Sequence, residues 1–331
     1  MGRYFVTGAT GFLGGELTKQ LISRGHRVVA LIRDPARAGI LRTLGVELHQ
    51  GDVTDRDSLI EPMRGVDGIF HCAAWYKVGV PSGDAERINV GGTRNVLDVM
   101  RELGVPKGVY TSSVAVFSDT RGAMPDERYR YDGPHLSEYD RTKWAAHYQV
   151  AMPMMHHGLP LVVVQPGVIY GPGDTSGMHT ALVDLLRRRL PATPRRTAFC
   201  WGHVEDTARG HIQAMERGTA GEAYIITGPR HTFEEAFDLI AALAKVPKPL
   251  LHPGPRVMKT TAAAMAVVQR LVDLPPALTP EALRVIAGVT YLGSNEKAVR
   301  ELGFAARSLR EGMEQTLEYE LRELARRQSE K

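Results

Sequence analysis

Cys72 and Cys200 are the only thiols in 331 residues. Two cysteines cannot build a disulfide framework, and isolated thiols in an enzyme-sized chain point to a reducing compartment. Dominant charge of one sign is also lacking: 41 Lys+Arg stand against 37 Asp+Glu, a formal +4 with both signs interspersed. That balance gives little reason to expect a nucleic-acid partner, and a pI near 9.0 fits a phosphate-bearing small ligand and no more. No apolar run approaches the ~20 residues of a membrane span. The most lipid-like stretch, Thr260–Val268, is expected to form a buried or amphipathic helix. The opening residues, MGRYFVTGATG, reach glycine before any apolar run of signal-peptide length. The twelve histidines include no HExxH and no Cys/His ligand spacing, so no metal site is expected. The chain reads as soluble and cytoplasmic, with neither membrane nor nucleic acid as a partner.

What is present is ordinary globular material, 43% apolar and 24% charged, enough for one large or two modest domains. Short apolar runs alternate with amphipathic segments. The candidate strands are 3–6, 27–32, 47–50, 68–71, 108–113, 161–165 and 223–227. The candidate helices are 14–23, 35–44, 57–63, 88–103, 139–156 and 204–217. This alternation predicts an α/β fold of βαβ units on a parallel sheet. After about residue 228 the pattern changes to helices punctuated by prolines, and 171–197 also interrupts it. The expected division is a nucleotide-binding domain of 1–170 plus 203–228 and a smaller, mostly helical substrate lobe of 171–202 plus 229–331.

The first strand runs into Thr7-Gly8-Ala9-Thr10-Gly11-Phe12-Leu13-Gly14, and a helical pattern follows. A dinucleotide pyrophosphate needs Gly8 for the tight turn, Gly11 for close approach of backbone amides and Gly14 for close helix packing. The second strand ends Ile32-Arg33-Asp34-Pro35, with a cation where an NAD site usually places a carboxylate. A guanidinium there suits the adenosine phosphate of NADP, with Arg37 assisting, so NADP is favoured over NAD. Asp34 reads as the N-cap of the helix opened by Pro35. Gly51-Asp52-Val53 closes the third strand, where Asp52 is either an adenine contact or a plain turn residue.

Tyr139 and Lys143 are four apart, on one face of a helix, so an ammonium can sit beside a phenol and lower its pKa. The fifth strand ends in Thr111-Ser112-Ser113, whose hydroxyls lie near the crevice where α/β sheets bind ligands. Trp75, Tyr76, Met178 and Trp201 are either pocket walls or core, and the arginines at 187–189, 195 and 196 a phosphate patch or a solvated face.

In order along the chain, Thr7–Gly14, Gly51-Asp52, His71-Cys72-Ala73-Ala74, Asn89-Val90-Gly91-Gly92-Thr93, Ser112–Phe117, Tyr139-x-x-x-Lys143 and Pro166-Gly167-Val168-Ile169-Tyr170-Gly171-Pro172 carry a joint resemblance. The chain resembles the extended short-chain dehydrogenase/reductases, the NAD-dependent epimerase/dehydratase family. The resemblance implies a doubly wound Rossmann sheet of strand order 3-2-1-4-5-6-7 and a catalytic group of Ser113, Tyr139 and Lys143. Counting back from Val116 in the family's serine pattern selects Ser113 over Ser112. Tyr139 would exchange the proton with substrate, Lys143 would bind the nicotinamide ribose, and Ser113 would orient the carbonyl. The same mapping places Ala73, Ala74, Asn89 and Pro166 to Val168 along the cofactor. A homodimer through helices near 88–103 and 139–156 is also implied.

Departures choose a branch. Family dehydratases carry Thr-Asp-Glu where this chain has Ser113-Val114-Ala115, so no acid is available to expel a hydroxyl. Epimerases show Arg-x-x-Asn where Gln165 and Val168 stand. Ile32–Pro35, Tyr110–Phe117 and Gly202–Asp206 are similar to the dihydroflavonol reductase and hydroxysteroid dehydrogenase branch. The expected activity interconverts a small-molecule carbonyl and an alcohol with NADP(H). The alternatives are a sugar-nucleotide epimerase holding NAD and a non-catalytic dinucleotide sensor.

Overall fold

The structure is a computed structural model that describes residues 1–76, 78 and 83–329. Its frame is a seven-stranded sheet in which all neighbours run parallel. The first six strands are β1 (Arg3–Thr7), β2 (Arg27–Ile32), β3 (Glu47–Gln50), β4 (Gly68–His71), β5 (Gly108–Thr111) and β6 (Leu161–Pro166). Three more follow, β7 (Val168–Tyr170), β8 (Ala198–His203) and β9 (Ala223–Ile226), and the order across the main sheet is β3-β2-β1-β4-β5-β6-β9. That is the doubly wound order implied by the resemblance, with β9 in seventh place. Every residue of β4, β6 and β9 is buried, as a parallel sheet covered on both faces requires. Helices Phe12–Ser23 and Val204–Arg217 cover one face. The other face carries two long helical runs, from Asp84 to Glu102 and from Glu138 to His156.

A second sheet was not foreseen. Its strands are β7, β8, β10 (Arg230–Thr232) and β11 (Thr290–Tyr291), with β8 pairing to all three others. Three of these strands have only two or three residues, too few for a period-2 pattern to register. Around them pack the C-terminal helices, including Phe233–Ala244, Pro255–Val268 and Leu309–Ser329. The lobe is therefore helical but organised on a small sheet. Gly167 makes the passage between sheets possible, since a Cβ there would lie 2.2 Å from the Cys200 carbonyl oxygen.

Other expectations need correction. The run 88–103 and the run 139–156 are not uniformly α-helical: each contains a π-helical turn, Arg87–Gly92 and Ala146–Ala151. Such turns are common at functional sites because they re-aim side chains. The stretch Thr260–Val268 lies in the helix Pro255–Val268, which buries Met258 and Ala262 and leaves most of its other residues exposed, the amphipathic of the two forms expected.

Candidate active site

All six strands from β1 to β6 end at one edge of the sheet, and each nominated residue outside the helices lies just beyond a strand end there. The edge is divided between β1 and β4, where the winding reverses, the crevice that binds ligands in such folds.

Gly8, at φ +76°, turns the chain out of β1, and a Cβ there would meet the Ala73 nitrogen at 2.8 Å. A Cβ on Gly14 would lie 2.2 Å from the Gly8 carbonyl oxygen, so the helix can start this close to the strand only with glycine. Gly11 is exposed, and its Cβ would meet only that same oxygen, at 3.1 Å. Gly11 is also the N-cap of helix Phe12–Ser23, where no side chain satisfies the amides and no acid occupies the first turn. The first-turn amides, including those of Phe12 and Leu13, are thus left for an outside acceptor. An uncapped helix start behind a backbone cradle fits a pyrophosphate. Thr10 is half-buried within the cradle.

Arg33 and Arg37 are both exposed beyond β2, and neither forms an ion pair among the described residues. Asp34 caps the turn between them, its Oδ1 accepting from the Ala36 amide at 2.9 Å. Beyond β3, Asp52 Oδ1 accepts from the Thr54 amide and hydroxyl at 2.9 and 2.8 Å, so the carboxylate shapes its own turn. Val53 is buried, with its carbonyl bound by Asn95. Ala73 donates its amide to the Thr7 hydroxyl at 3.2 Å, and Ala74 is exposed next to it. Pro166 is buried at the end of β6, and Gly167 and Val168 are half-buried.

Asn89 sits in the first π-turn with its amide fully engaged. Its Oδ1 accepts from the Trp75 amide at 2.7 Å, and its Nδ2 donates to the Trp75 carbonyl at 3.1 Å and the Thr142 hydroxyl at 2.9 Å. It therefore ties the loop after β4 to the helix Glu138–Ala145, which carries Tyr139 and Lys143.

Ser137 starts that helix, its side chain accepting from the Asp140 amide at 3.0 Å. The Ser113 hydroxyl pulls the Tyr139 phenol pKa down, against burial, which pushes it up more strongly. Tyr76, 53% exposed, covers the Tyr139 ring edge-on at 4.8 Å and is a wall of the crevice. Trp201 is core: it is 1% exposed, and its indole donates to the His231 carbonyl. The two serines are separated cleanly. Ser112 bonds His147 Nδ1 at 2.8 Å, on the buried side, and only Ser113 reaches the phenol.

Lys143 is 3% exposed. Its Nζ donates to the Thr111 carbonyl at 2.7 Å and the Tyr110 hydroxyl at 3.4 Å, and lies 4.9 Å above the Tyr110 ring. Burial brings its pKa down to about 7. Sequence reasoning expects this ammonium beside the Tyr139 phenol; its Nζ is bonded to the Thr111 carbonyl and the Tyr110 hydroxyl. Thr111 and Tyr110 were missed because their contribution is a backbone carbonyl and a ring face. Asp140 was missed as well. It is 2% exposed, burial raises its pKa to about 7, and Tyr291 of β11 donates to it at 2.9 Å, joining the Tyr139 helix to the second sheet. Nothing local in sequence signals a partner 151 residues away.

Four buried histidines surround this region. His71 and His147 are pushed down to about 3, and His203 and His211 to about 4, chiefly by burial. Each stays neutral in the fold while taking a proton near pH 6.5 once unfolded, so stability is lost as pH falls below 6.5. Asp140 opposes this with one proton, since its raised pKa means the folded state holds a proton that the unfolded chain releases above pH 4. About three net protons should be taken up on unfolding near pH 5, a slope of about 4 kcal/mol per pH unit. Urea melts at pH 7, 6 and 5 check this, and equal midpoints would contradict it. Cys72, accepting from the Thr111 hydroxyl at 3.3 Å, is pushed up to about 11 and is a poor nucleophile.

Comparison with known proteins agrees with this geometry. The profile of the NAD dependent epimerase/dehydratase family matches residues 4–227. The chain is 31% identical to a candidate dihydroflavonol 4-reductase of Synechocystis sp., covering 94% of this chain and 92% of that protein. It is 30% identical to a 3 beta-hydroxysteroid dehydrogenase/Delta 5-->4-isomerase of Mycobacterium tuberculosis, covering 92% of this chain and 86% of that one. The crystal structure of gox2253 superposes with a TM-score of 0.82 at 30% identity, over 96% of this chain and 98% of that one. The protein belongs to the NAD-dependent epimerase/dehydratase family, the extended short-chain dehydrogenase/reductases, and is an oxidoreductase of that group, for which the family implies a nicotinamide dinucleotide cofactor.

Proposed function

We propose that this chain interconverts a ketone or aldehyde and an alcohol with NADP(H), through Ser113, Tyr139 and Lys143. The observation that carries the reading is the phenol of Tyr139, kept protonated by burial, with the Ser113 hydroxyl acting on it and the Tyr76 ring against its own. A protonated phenol is the form needed to give a proton to a carbonyl oxygen as it becomes an alcohol. Ser113, whose Oγ accepts from the Ala115 amide at 3.1 Å, has one hydroxyl proton, which would turn from the phenol to the substrate oxygen to hold it in line. Lys143, with a pKa near neutrality, sits where it can pass between the Thr111 carbonyl and a ribose hydroxyl and hold the phenol's surroundings positive. The nicotinamide, when bound, supplies or accepts the hydride. Gly8–Gly14 would hold its pyrophosphate, and Ala73, Ala74 and Pro166–Val168 would line it.

Arg33 supports NADP: it is exposed beyond β2 with no carboxylate paired to it. Gln165 speaks against a sugar-nucleotide epimerase, because it stands where epimerases show the arginine of Arg-x-x-Asn, and a buried neutral amide supplies no cation to a diphosphate. The two relatives described above are named for carbonyl–alcohol chemistry, which supports the same class here. The test is NADPH oxidation across aromatic aldehydes, flavonoid-like ketones, steroids and sugar nucleotides. Turnover is expected with the carbonyl compounds. Turnover of sugar nucleotides alone, without net cofactor consumption, would return the protein to the epimerases.

A further inference from the structure

Segments 187–196 and 250–272 contain eight lysines and arginines and no acid. The whole chain is +4, from 41 cations and 37 acids, so removing these eight leaves the remainder at −4. The charge is thus segregated onto one part of the C-terminal lobe. The two segments are joined: the Thr193 amide donates to Leu251 and the Arg195 amide to Pro253, both at 3.0 Å. Arg187–Arg189, Arg195 and Arg196 are all exposed, and none forms an ion pair among the described residues. Arg188 and Arg196 hold left-handed backbone, at φ +58° and +64°, where glycine would sit without strain. Arg256 and Lys259 on the adjoining helix, and Arg270 just past its end, are equally exposed and form no ion pair among the described residues.

Large aliphatic side chains stand among these cations. Leu250 is 88% exposed and Leu271 82%. Helix Pro255–Val268 packs one stripe, Met258, Ala262 and Met265, against Leu283 and its neighbours. Val257, Ala264 and Val267 form a second face at helical spacing, continued by Leu271 one turn on, and that face is in water. Asp273 just beyond Val272 and Glu234 beside His252 are acids at its margin, yet an apolar face bordered mainly by cations is the composition of a helix that lies in a membrane interface. Among the described residues no helix is long and apolar enough to cross a bilayer.

We propose that this surface docks the protein on an anionic lipid bilayer, with the arginines at the headgroups and Leu250, Val267 and Leu271 in the acyl boundary. This departs from the sequence reading, which expects no membrane partner because it could not see that 255–272 is exposed. Lipid is favoured over nucleic acid because the exposed apolar groups are aliphatic, which suits hydrocarbon, whereas single strands are bound by aromatic stacking. Docking by surface charge adds about 1 kcal/mol per cation near the membrane.

The test is co-sedimentation of the full chain with phosphatidylcholine vesicles, with and without phosphatidylglycerol. Wild type should pellet only with the anionic vesicles, and less so at high salt. Arg187→Glu/Arg195→Glu/Arg256→Glu should weaken partitioning by about 100-fold, and Leu250→Ser/Leu271→Ser by about tenfold. Circular dichroism melts confirm that the variants fold. Wild type remaining in the supernatant overturns the proposal. So does a leucine variant that pellets like wild type and is stripped from vesicles by single-stranded RNA, which would make the patch a polyanion site.

Discussion

Tyr139→Phe should lower kcat by about 10²–10⁴-fold while leaving the thermal midpoint and cofactor Kd close to wild type. Only the hydroxyl is removed. The ring keeps its edge contact with Tyr76, and the helix keeps its Ser137 cap and its Lys143–Thr111 bond. Ser113 still accepts from the Ala115 amide, and its own hydroxyl proton can turn toward the crevice, so the local backbone is unchanged. Steady-state kinetics with the best carbonyl substrate, beside a cofactor titration, measure both quantities. Activity near wild type would remove Tyr139 from the chemistry. A matching loss of cofactor affinity would make it a binding residue.

The second large effect concerns cofactor choice. Arg33→Ala should weaken NADPH by roughly 10- to 100-fold, the loss of one charge-assisted hydrogen bond worth about 1.5–3 kcal/mol. NADH lacks the adenosine phosphate and should be almost unaffected, so the ratio of the two affinities is the diagnostic quantity. Arg33 is exposed and makes no ion pair, so its removal should not disturb the fold. Arg37 lies one turn along, behind the Asp34 cap, and a shared contact would bring the loss toward the lower figure. The titrations need one fixed ionic strength, since an exposed contact is screened by salt. Equal weakening of both cofactors would reduce Arg33 to a surface arginine.

The main sheet was legible because its strands are apolar runs bounded by glycine and polar turns. Segments 27–32, 47–50 and 68–71 match their strands residue for residue. Hydrophobic periodicity carries that signal because both faces of a parallel sheet are buried. The second sheet left no such trace: β11 has two residues and pairs with a strand far away in sequence. In the site, residue identity was readable and side-chain commitment was not. Motif register selects Ser113, and the fold supplies the physical reason by giving Ser112 to His147. The Lys143 bond to Thr111, the closed amide of Asn89 and the Asp140–Tyr291 tie all depend on partners that only the folded chain brings close. Exposure was the least readable property of all. The stretch Thr260–Val268 reads as a buried or an amphipathic helix by composition, and only the fold shows that Ala262 is buried while most of its neighbours are exposed.

The central claim is net hydride exchange between a dissociable NADP(H) and a carbonyl at Tyr139, and isotopic labelling tests it most directly. The protein is mixed with NADPH carrying deuterium at the reactive carbon and a substrate found in the carbonyl screen, and the products are analysed by mass spectrometry. The account predicts one deuterium on the carbinol carbon of the released alcohol, with NADP⁺ formed in equal amount. A product that differs from substrate only in configuration, carries no deuterium and leaves the dinucleotide bound and unconsumed would contradict it.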